Sequence, residues 1–254
     1  NVAIKAVVHR ALDHDIEVLG LRRGWASLVN LDLNNDESLT EWTMPLSRES
    51  TRTIDRTGGT VLHTSRTNPS NMKPEDVPEW VAEADREPGK NGRIDITKHS
   101  LRILEWLNLD ALIAIGGDDT LSYAARLHRE NYQVVGIPKT MDNDVFGTDY
   151  CIGFSTAVSR STDAISSLRT SLGSHERIGV VELFGRNSGE TSLFAAYLAD
   201  VDRAIISEVP FDLDRLINFL VIDRKQNPSN YAIMTISEGA TLVGGEIVQR
   251  GEAD

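Results

Sequence analysis

The sequence has little cysteine and no long apolar run, and each absence excludes a class of protein. Cys151 is the single cysteine among 254 residues, so no disulfide can form within the chain. This fits a reducing compartment, and we expect a cytoplasmic protein. No apolar stretch reaches the roughly 18 residues that a membrane-spanning helix needs, and no signal peptide is visible. We therefore expect no membrane partner.

Basic runs and several familiar catalytic motifs are also absent. The chain carries 26 Lys and Arg against 38 Asp and Glu, without a lysine or arginine run, so we expect no nucleic-acid partner. A phosphorylated small substrate is still compatible, because local arginines can override a distant net charge. The six histidines lack H-x-x-x-H spacing, which argues against a zinc site. Neither a P-loop, a dinucleotide fingerprint nor a nucleophile elbow is present.

What the sequence does contain is an alternation of strand-like and helix-like segments. Helical spacing of apolar residues predicts helices over residues 1–12, 96–107, 155–172 and 213–224. Short apolar runs predict strands over residues 16–21, 61–64, 111–115, 134–137, 177–183, 204–207 and 231–236. This order predicts an α/β protein whose parallel sheet carries helices on both faces. Residues 69–93, with four prolines and many charges, are expected to form a mobile surface excursion.

The segment 110–149 organises the rest of the chain. Its two strands each lead into a cluster of Gly, Asp and Thr, and a helical stretch at 121–129 lies between them. Pro138 is expected to stop the second strand. In parallel sheets such turns lie at the carboxyl ends of strands, where α/β enzymes place their sites. Both turns are therefore candidate sites.

The first turn is Gly-Gly-Asp-Asp-Thr at residues 116–120. Two glycines let the backbone approach a phosphate closely, and the following helix N-terminus adds partial positive charge. Asp118 could hold Mg²⁺ directly or through water. The alternative is an ordinary strand-to-helix turn in which Asp119 or Thr120 caps the helix.

The second turn is Pro-Lys-Thr-Met-Asp-Asn-Asp at residues 138–144. Asp142 and Asp144 are two residues apart, so in an extended segment they would face the same side. One carboxylate could take a proton from a hydroxyl while the other holds a metal or stays solvated, and Lys139 could neutralise phosphate charge. A solvated acidic loop is the alternative.

Two arginines bracket the predicted strand at 177–183. Arg186 lies in a glycine turn at a helix start, where an anion can be bound. Arg177 lies at the opposite end, roughly 30 Å away at ~3.3 Å per residue, so both cannot serve one site in one subunit. If both bind anions, Arg177 serves a neighbour's site and the protein is an oligomer. Solvated surface arginines are the alternative. Glu238, in the turn after the last strand, could accept hydrogen bonds from sugar hydroxyls or belong to an ordinary strand exit.

The combination of motifs is more specific than any of its parts. In order, the chain carries IGGDDT, GIPKTMDND, TDYCIGFSTA, VVELFGRNSG and ISEGA, with supporting pieces NVAIKAVV and GGTVLHTSR. This order resembles the 6-phosphofructokinase family over nearly the whole chain. The resemblance implies phosphoryl transfer to the 1-hydroxyl of fructose 6-phosphate with Mg²⁺ as cofactor.

The resemblance also implies roles for individual residues. Asp142 corresponds to the general base, with Thr140 and Asp144 as its companions at the sugar. Arg186 and Gly185 correspond to part of the sugar-phosphate and transition-state contact. The remaining assignments are Asp118 for the metal, Glu238 for a sugar hydroxyl, Arg177 for the sugar phosphate bound to a neighbouring subunit of a homo-oligomer, and Phe184 where many relatives have methionine.

The residues at the donor turn indicate which phosphoryl donor is used. Family members that use ATP usually have glycine in place of Asp119, and often in place of Lys139, so this pair is similar to the pyrophosphate-dependent branch. A carboxylate at 119 would repel the α-phosphate of a nucleotide by roughly a few kcal/mol in a partly dry site. Pyrophosphate has no third phosphate, and Lys139 can stabilise its leaving phosphate. Gly117 and Arg66 complete the residues assigned to the donor.

The expected architecture is α/β with Rossmann-like parallel sheets, helices on both faces, and two subdomains with the site in the cleft between them. Residues 1–150 would bind the donor and residues 151–254 the sugar phosphate. The family's glycine-rich donor loop is expected before Asn1, and its later arginine and histidine for the sugar phosphate after Asp254. The chain also begins without methionine. We therefore expect a fragment or processed product that is a poor catalyst as it stands.

Two alternative functions stay open at this point. The first is an ATP-dependent 6-phosphofructokinase. The second is a non-catalytic regulatory subunit that binds sugar phosphate only, although the intact Asp118, Asp142 and Asp144 argue against it.

Overall fold

A computed structural model describes residues 1–245 of the chain. The chain folds as two compact units, Asn1–Ile137 and Pro138–Asp254. This division lies before the expected functional boundary at residue 150 and places the whole second turn in the second unit. The expected domain 151–254 extends past residue 245, so its last part lies outside the described residues. Within residues 1–245, no helix is long and apolar enough to cross a membrane.

The first unit begins with a helix and ends on the strand that leads into the second unit. Its elements are α1 (Val2–Leu12), β1 (Val18–Leu21), α2 (Ala26–Asn30), α3 (Asp36–Trp42), β2 (Thr43–Leu46), β3 (Glu87–Pro88), β4 (Ile94–Asp95), α4 (Thr97–Trp106), β5 (Leu112–Gly116), α5 (Asp118–Arg129) and β6 (Val134–Thr140). Four short 3-10 helices lie at Ile54–Arg56, Pro74–Asp76, Glu83–Asp85 and Lys90–Gly92.

The main core of the first unit joins α2, α4, β5 and α5. It contains Trp25, Leu28, Leu31, Ile103, Leu104, Ala114, Tyr123, Ala124 and Leu127. Trp25 and Tyr123 pack edge to face with ring centroids 4.9 Å apart, a favourable aromatic geometry. The helix that follows β5 is therefore fixed by its buried face, and its first turn is held at the end of the strand.

The second unit is a parallel sheet with helices on both faces. Its elements are β7 (Ile152–Gly153), α6 (Phe154–Ser174), β8 (Ile178–Leu183), α7 (Glu190–Leu198), β9 (Arg203–Ile205), α8 (Leu213–Gln226) and β10 (Ala232–Ser237). β10 lies between β8 and β9 and is parallel to both. Ile233 of β10 packs with Ile165 of α6 and Ala195 of α7. Met234 packs with Leu216 of α8. The predicted α/β class is confirmed.

Two local predictions are wrong. Pro138 does not stop the strand: β6 continues to Thr140 and pairs there with β7, since a proline φ is compatible with extended backbone. Residues 61–64 form no strand. The amide of Val61 donates to Asn1 Oδ1 at 2.7 Å and that of Leu62 to Thr60 Oγ1 at 3.1 Å, so side chains replace a strand partner. The strand that pairs with β1 is β2, which was not predicted from the sequence, and that pair is antiparallel.

The segment 69–93 is not a mobile excursion. Its apolar side chains Met72, Val77 and Val81 are buried in one cluster with Val29 and Ile96. Asp85 is also buried, and its carboxylate accepts a 2.7 Å hydrogen bond from Arg102 of α4. Pro74 begins a short 3-10 helix in this segment. Such short helices turn the chain, and the apolar residues between them can therefore be buried.

Candidate active site

The acceptor turn follows β6 in the second unit. Lys139 and Thr140 end the strand, and the amide of Asp142 donates to Thr140 Oγ1 at 3.2 Å. Asp142 is partly buried, whereas Lys139 and Asp144 are exposed. The threonine hydroxyl therefore stabilises a turn at the end of the strand, and this turn carries Asp142.

Asn143, between the two aspartates, gives this loop its shape. It has a left-handed backbone with φ 56°, so the segment that carries the two aspartates is not extended as expected. Its amide nitrogen donates to Glu190 Oε2 at 2.7 Å and to the Asp149 carbonyl at 3.0 Å. Its amide oxygen accepts from the amide of Cys151 at 2.7 Å. Every hydrogen-bonding atom of this side chain thus ties the loop to another part of the unit.

Electrostatics mark Asp142 as the unusual carboxyl of the site. Burial raises the pKa of Asp142, and the negative charges of Asp144 and Glu238 raise that pKa further. Arg186 and Lys139 act on the same pKa in the opposite direction. The structure therefore brings together five residues from the three segments that the sequence singled out. A carboxyl with a raised pKa among cations and other carboxylates is suited to accept a proton from a hydroxyl.

The turn that carries Arg186 is fixed by glycines and serines. Gly185 has φ +132°, a conformation that L side chains rarely adopt. Its carbonyl accepts hydrogen bonds from Ser237 Oγ at 2.5 Å and Ser207 Oγ at 2.7 Å. A Cβ on Gly239 would lie 1.8 Å from the Arg186 carbonyl oxygen. This close backbone approach holds the Arg186 turn against the turn that carries Glu238.

Two predicted acceptor residues are exposed at the edges of this arrangement. Phe184 is 58% exposed and follows directly after β8. Arg177 precedes β8 and is also exposed. The six residues of β8 span roughly 20 Å at ~3.3 Å per residue, because the strand ends at Leu183 and a turn leads to Arg186, so the separation is shorter than the roughly 30 Å expected for a strand running the whole way. The structure therefore keeps the two arginines at opposite ends of one strand, as the sequence predicts.

The donor turn lies in the first unit, where β5 leads into α5. The helix begins at Asp118, three residues before the predicted helix, so Asp118 and Asp119 lie in its first turn and Gly117 precedes it. Both aspartates are exposed. The N-terminal end of a helix dipole stabilises negative charge, so it stabilises these two carboxylates and would also stabilise an anionic ligand. Arg66 is exposed in the loop after residue 62.

The donor residues are compatible with magnesium. Mg²⁺ is commonly held by one or two carboxylates, with substrate phosphates and water supplying the other oxygen ligands. Asp118 and Asp119 provide two exposed carboxylates of this kind. Within the described residues, no group of three or more His, Cys, Asp or Glu side chains is arranged to hold an ion by itself. The chemistry of the donor set thus fits an ion that binds together with a phosphate ligand.

Sequence reasoning missed Glu190 and Thr191 as supports of the acceptor turn. Both open α7, and Thr191 Oγ1 donates to the Met141 carbonyl at 2.7 Å. An acidic residue in a first helical turn is ordinary helix chemistry, so the sequence alone gave no signal for this contact.

Comparisons with known proteins show which family the chain resembles. A family profile described as Phosphofructokinase matches residues 1–253. The chain is 40% identical over 246 residues to pyrophosphate–fructose 6-phosphate 1-phosphotransferase of Dictyoglomus thermophilum, covering 96% of the chain and 61% of that protein. It is 36% identical over 245 residues to ATP-dependent 6-phosphofructokinase 1 of Clostridium perfringens, covering 96% of the chain and 66% of that protein. The chain thus spans less than two thirds of these relatives.

A solved structure shows the same fold. The crystal structure of Pichia pastoris phosphofructokinase in the T-state matches the chain with a TM-score of 0.74 at 21% identity. The match covers 94% of this chain and 24% of that one.

Proposed function

The chain belongs to the phosphofructokinase family, and we propose that its protein transfers a phosphoryl group from pyrophosphate to the 1-hydroxyl of fructose 6-phosphate. The products are fructose 1,6-bisphosphate and phosphate. This activity is proposed for the full-length protein, of which this chain supplies the acceptor turn and the donor turn.

The observation that carries the acceptor half of the proposal is the environment of Asp142. Its carboxyl is partly buried, and burial together with Asp144 and Glu238 raises its pKa. A base with a raised pKa takes a hydroxyl proton more readily than an ordinary exposed aspartate does. Asp142 is thus the residue that would remove the proton of the sugar hydroxyl as that oxygen attacks phosphorus.

The residues around Asp142 fit the remaining tasks of phosphoryl transfer. Arg186 and Lys139 bring positive charge to a place where negative charge develops on the transferring group. Glu238 offers a carboxylate to a sugar hydroxyl, and Thr140 shapes the loop through its bond to the Asp142 amide. These groups act by alignment and charge stabilisation, which account for most of the catalysis of this reaction type.

Magnesium would be held by Asp118 together with the phosphates of the donor. When bound, the ion neutralises phosphate charge and orients the donor. The protein's own contribution at this turn is the open end of α5, where backbone amides and the helix dipole favour an anion.

Asp119 is the residue that favours pyrophosphate over a nucleotide. It stands exposed beside Asp118 in the first turn of α5, so a bound phosphate chain would meet two adjacent carboxylates. A third phosphate near Asp119 would be repelled by roughly a few kcal/mol in a partly dry site, whereas pyrophosphate ends before that point. ATP is the second candidate donor, because one of the relatives described above is named for it.

The donor is tested by assaying the full-length protein with fructose 6-phosphate and Mg²⁺, with pyrophosphate in one series and ATP in the other. We expect kcat/KM for pyrophosphate to exceed that for ATP by roughly 100-fold, the factor for a difference of about 2.7 kcal/mol. Equal or faster turnover with ATP would overturn the choice of donor. Binding of fructose 6-phosphate without turnover of either donor would instead identify a regulatory subunit.

A further inference from the structure

We propose that Asn143 and Glu190 form a positioning pair that holds the acceptor turn, with its Asp142 and Asp144, against the first turn of α7. The proposal rests on the proposed function, because Asp142 is the base only if the protein transfers a phosphoryl group to a hydroxyl. Neither residue need touch the substrate: they act by fixing the loop that carries Asp142.

The contacts of Asn143 give the pair its geometry. The side-chain nitrogen donates to Glu190 Oε2 at 2.7 Å, which is short for a neutral donor and indicates a hydrogen bond strengthened by the carboxylate charge. The same nitrogen donates to the Asp149 carbonyl at 3.0 Å, and the side-chain oxygen accepts from the Cys151 amide at 2.7 Å. Residues 143, 149 and 151 are thus closed into one ring that is anchored on Glu190.

The backbone of Asn143 shows why such an anchor is needed. A left-handed conformation is unfavourable for residues with a Cβ, although asparagine tolerates it better than most. This conformation costs free energy, so the loop would relax to another conformation without compensating hydrogen bonds. The three hydrogen bonds of the side chain offset this cost and select one conformation between the two aspartates.

Helix α7, which carries Glu190, is itself held in place by hydrogen bonds and burial. Thr191, the next residue after Glu190, donates from Oγ1 to the Met141 carbonyl at 2.7 Å, so two successive helix residues bind both sides of Asp142. Deeper in the helix, Ser192 Oγ donates to Thr235 Oγ1 of β10 at 2.9 Å, and Ala195 is fully buried. Contacts between α7 and the sheet thus fix the first turn of the helix, and that turn fixes the position of Asp142.

The chemistry of the pair also suits a site rich in carboxylates. Asn143 is neutral, so it binds Glu190 without adding a positive charge beside Asp142. The electrostatic environment of the Asp142 carboxyl is therefore unchanged by Asn143. An aspartate at this position would lose the donor and add like charge beside Asp142, Asp144 and Glu190. Asparagine combines the donor, the acceptor and the tolerance of left-handed backbone that the loop requires.

The test compares variants of the full-length protein in steady-state kinetics with fructose 6-phosphate and pyrophosphate. Glu190→Ala and Asn143→Gly each remove the pair, and the glycine keeps the left-handed backbone. We expect both to lower kcat by roughly 10- to 100-fold, as for a misplaced catalytic group, with KM for fructose 6-phosphate changed less than about threefold. Glu190→Gln keeps an acceptor for Asn143 and should return kcat to within about threefold of the wild type.

Asn230 supplies a matched control. It too has a left-handed backbone, with φ 54°, and donates to a glutamate, Glu176 Oε2, at 2.8 Å. Asn230→Gly should leave kcat within about twofold of the wild type, because its pair lies at the start of β10 rather than at the acceptor turn. A kcat unchanged in Glu190→Ala, or a Gln variant no better than Ala, would overturn the proposal.

Amide hydrogen exchange at Cys151 separates this proposal from the proposed function. The Cys151 amide donates to Asn143 Oδ1, so its exchange should accelerate in Asn143→Gly and Glu190→Ala but not in Glu190→Gln or Asn230→Gly. Inactivity of the wild-type protein would refute the proposed function, and the exchange rates would still show whether the pair holds the turn. Unchanged exchange in both disruptive variants would refute the pair.

Discussion

Asp142 shows how one residue's surroundings set both reactivity and stability. Because burial and two nearby carboxylates raise its pKa, ionised Asp142 is less favourable in the folded than in the unfolded chain. We expect Asp142→Asn to lower kcat by roughly 10²- to 10⁴-fold, the usual range for loss of a general base. The same variant should raise the midpoint of thermal unfolding at pH 7, measured by calorimetry, because the amide carries no charge.

The pH dependence of that stabilisation follows from the sign of the shift. The folded chain binds a proton at Asp142 more tightly than the unfolded chain, so ionisation of Asp142 reduces stability as pH rises through the raised pKa. The gain from Asp142→Asn should therefore grow above the ordinary aspartate range and vanish below it. Asp163→Asn, an exposed change on α6, is the control for replacing an aspartate carboxylate with an amide. A gain that is constant with pH would contradict the assignment of the shift.

Asp119 gives the second prediction at the residue scale. Replacing it with glycine removes a negative charge from the first turn of α5, so Asp119→Gly should raise nucleotide affinity. We expect the Kd for ATP, measured by titration calorimetry on the full-length protein, to fall by roughly 10-fold or more, which corresponds to about 1.4 kcal/mol. Asp214→Gly, in the first turn of α8, tests the loss of a first-turn aspartate elsewhere and should leave ATP binding unchanged. Unchanged affinity in Asp119→Gly would count against a role in donor choice.

At the scale of elements, two turns depend on a close approach of backbones. A Cβ at Gly239 would lie 1.8 Å from the Arg186 carbonyl oxygen, so Gly239→Ala must displace main chain. We expect it to destabilise the protein by about 2 kcal/mol and to lower kcat with it. At Gly173 in α6 the same Cβ meets Tyr231 at an ordinary 3.5 Å, and Gly173→Ala should be neutral or stabilising by up to about 1 kcal/mol. Denaturant unfolding of both variants measures the contrast, and equal stability would refute it.

Long elements were predictable from sequence because their apolar periodicity records their burial. α1, α4, α6 and α8 lie within a few residues of the predicted helices. In the central segment, β5 and the start of β6 also match their predictions. The strands of the second unit are apolar runs in a parallel sheet, which the sequence marks clearly.

Short elements were missed because their partners are distant in sequence or are side chains. β2 is four residues long and contains a proline, so only its pairing with β1 identifies it as a strand. Residues 61–64 look like a strand but bond to Asn1 and Thr60 side chains. Met72, Val77 and Val81 lie isolated among prolines and charged residues, so the sequence did not indicate that they are buried with Val29 and Ile96.

The residues that the structure gathers around Asp142 had been selected from the sequence, but the residues that support the turn had not. Asp142, Asp144, Lys139, Arg186 and Glu238 were selected from motif order, and electrostatic coupling places the other four around Asp142. The left-handed Asn143 and its bond to Glu190 depend on tertiary contacts across 47 positions. The expectation of an extended segment therefore failed for this loop, because a hydrogen bond to another element determines its backbone conformation.

At the scale of the whole molecule, Arg177 raises the question of assembly. It lies at the opposite end of β8 from Arg186, and that strand alone spans roughly 20 Å. If Arg177 binds the sugar phosphate, it does so in the site of a second copy, which makes the protein a symmetric oligomer. Size-exclusion chromatography with light scattering would then show more than one subunit.

Complementation between two inactive variants tests this arrangement directly. Arg177→Ala removes the residue lent to a neighbour, whereas Asp142→Asn removes the base of the subunit's own site. In a mixed pair one site has both defects and the other has neither, so unfolding and refolding the two variants together should restore activity. Random pairing predicts about a quarter of wild-type activity if sites are shared between two subunits. Mixing Arg186→Ala with Asp142→Asn is the control and should restore nothing, because both residues serve the same chain's site. Recovery no greater than the sum of the separate variants would place Arg177 outside a shared site.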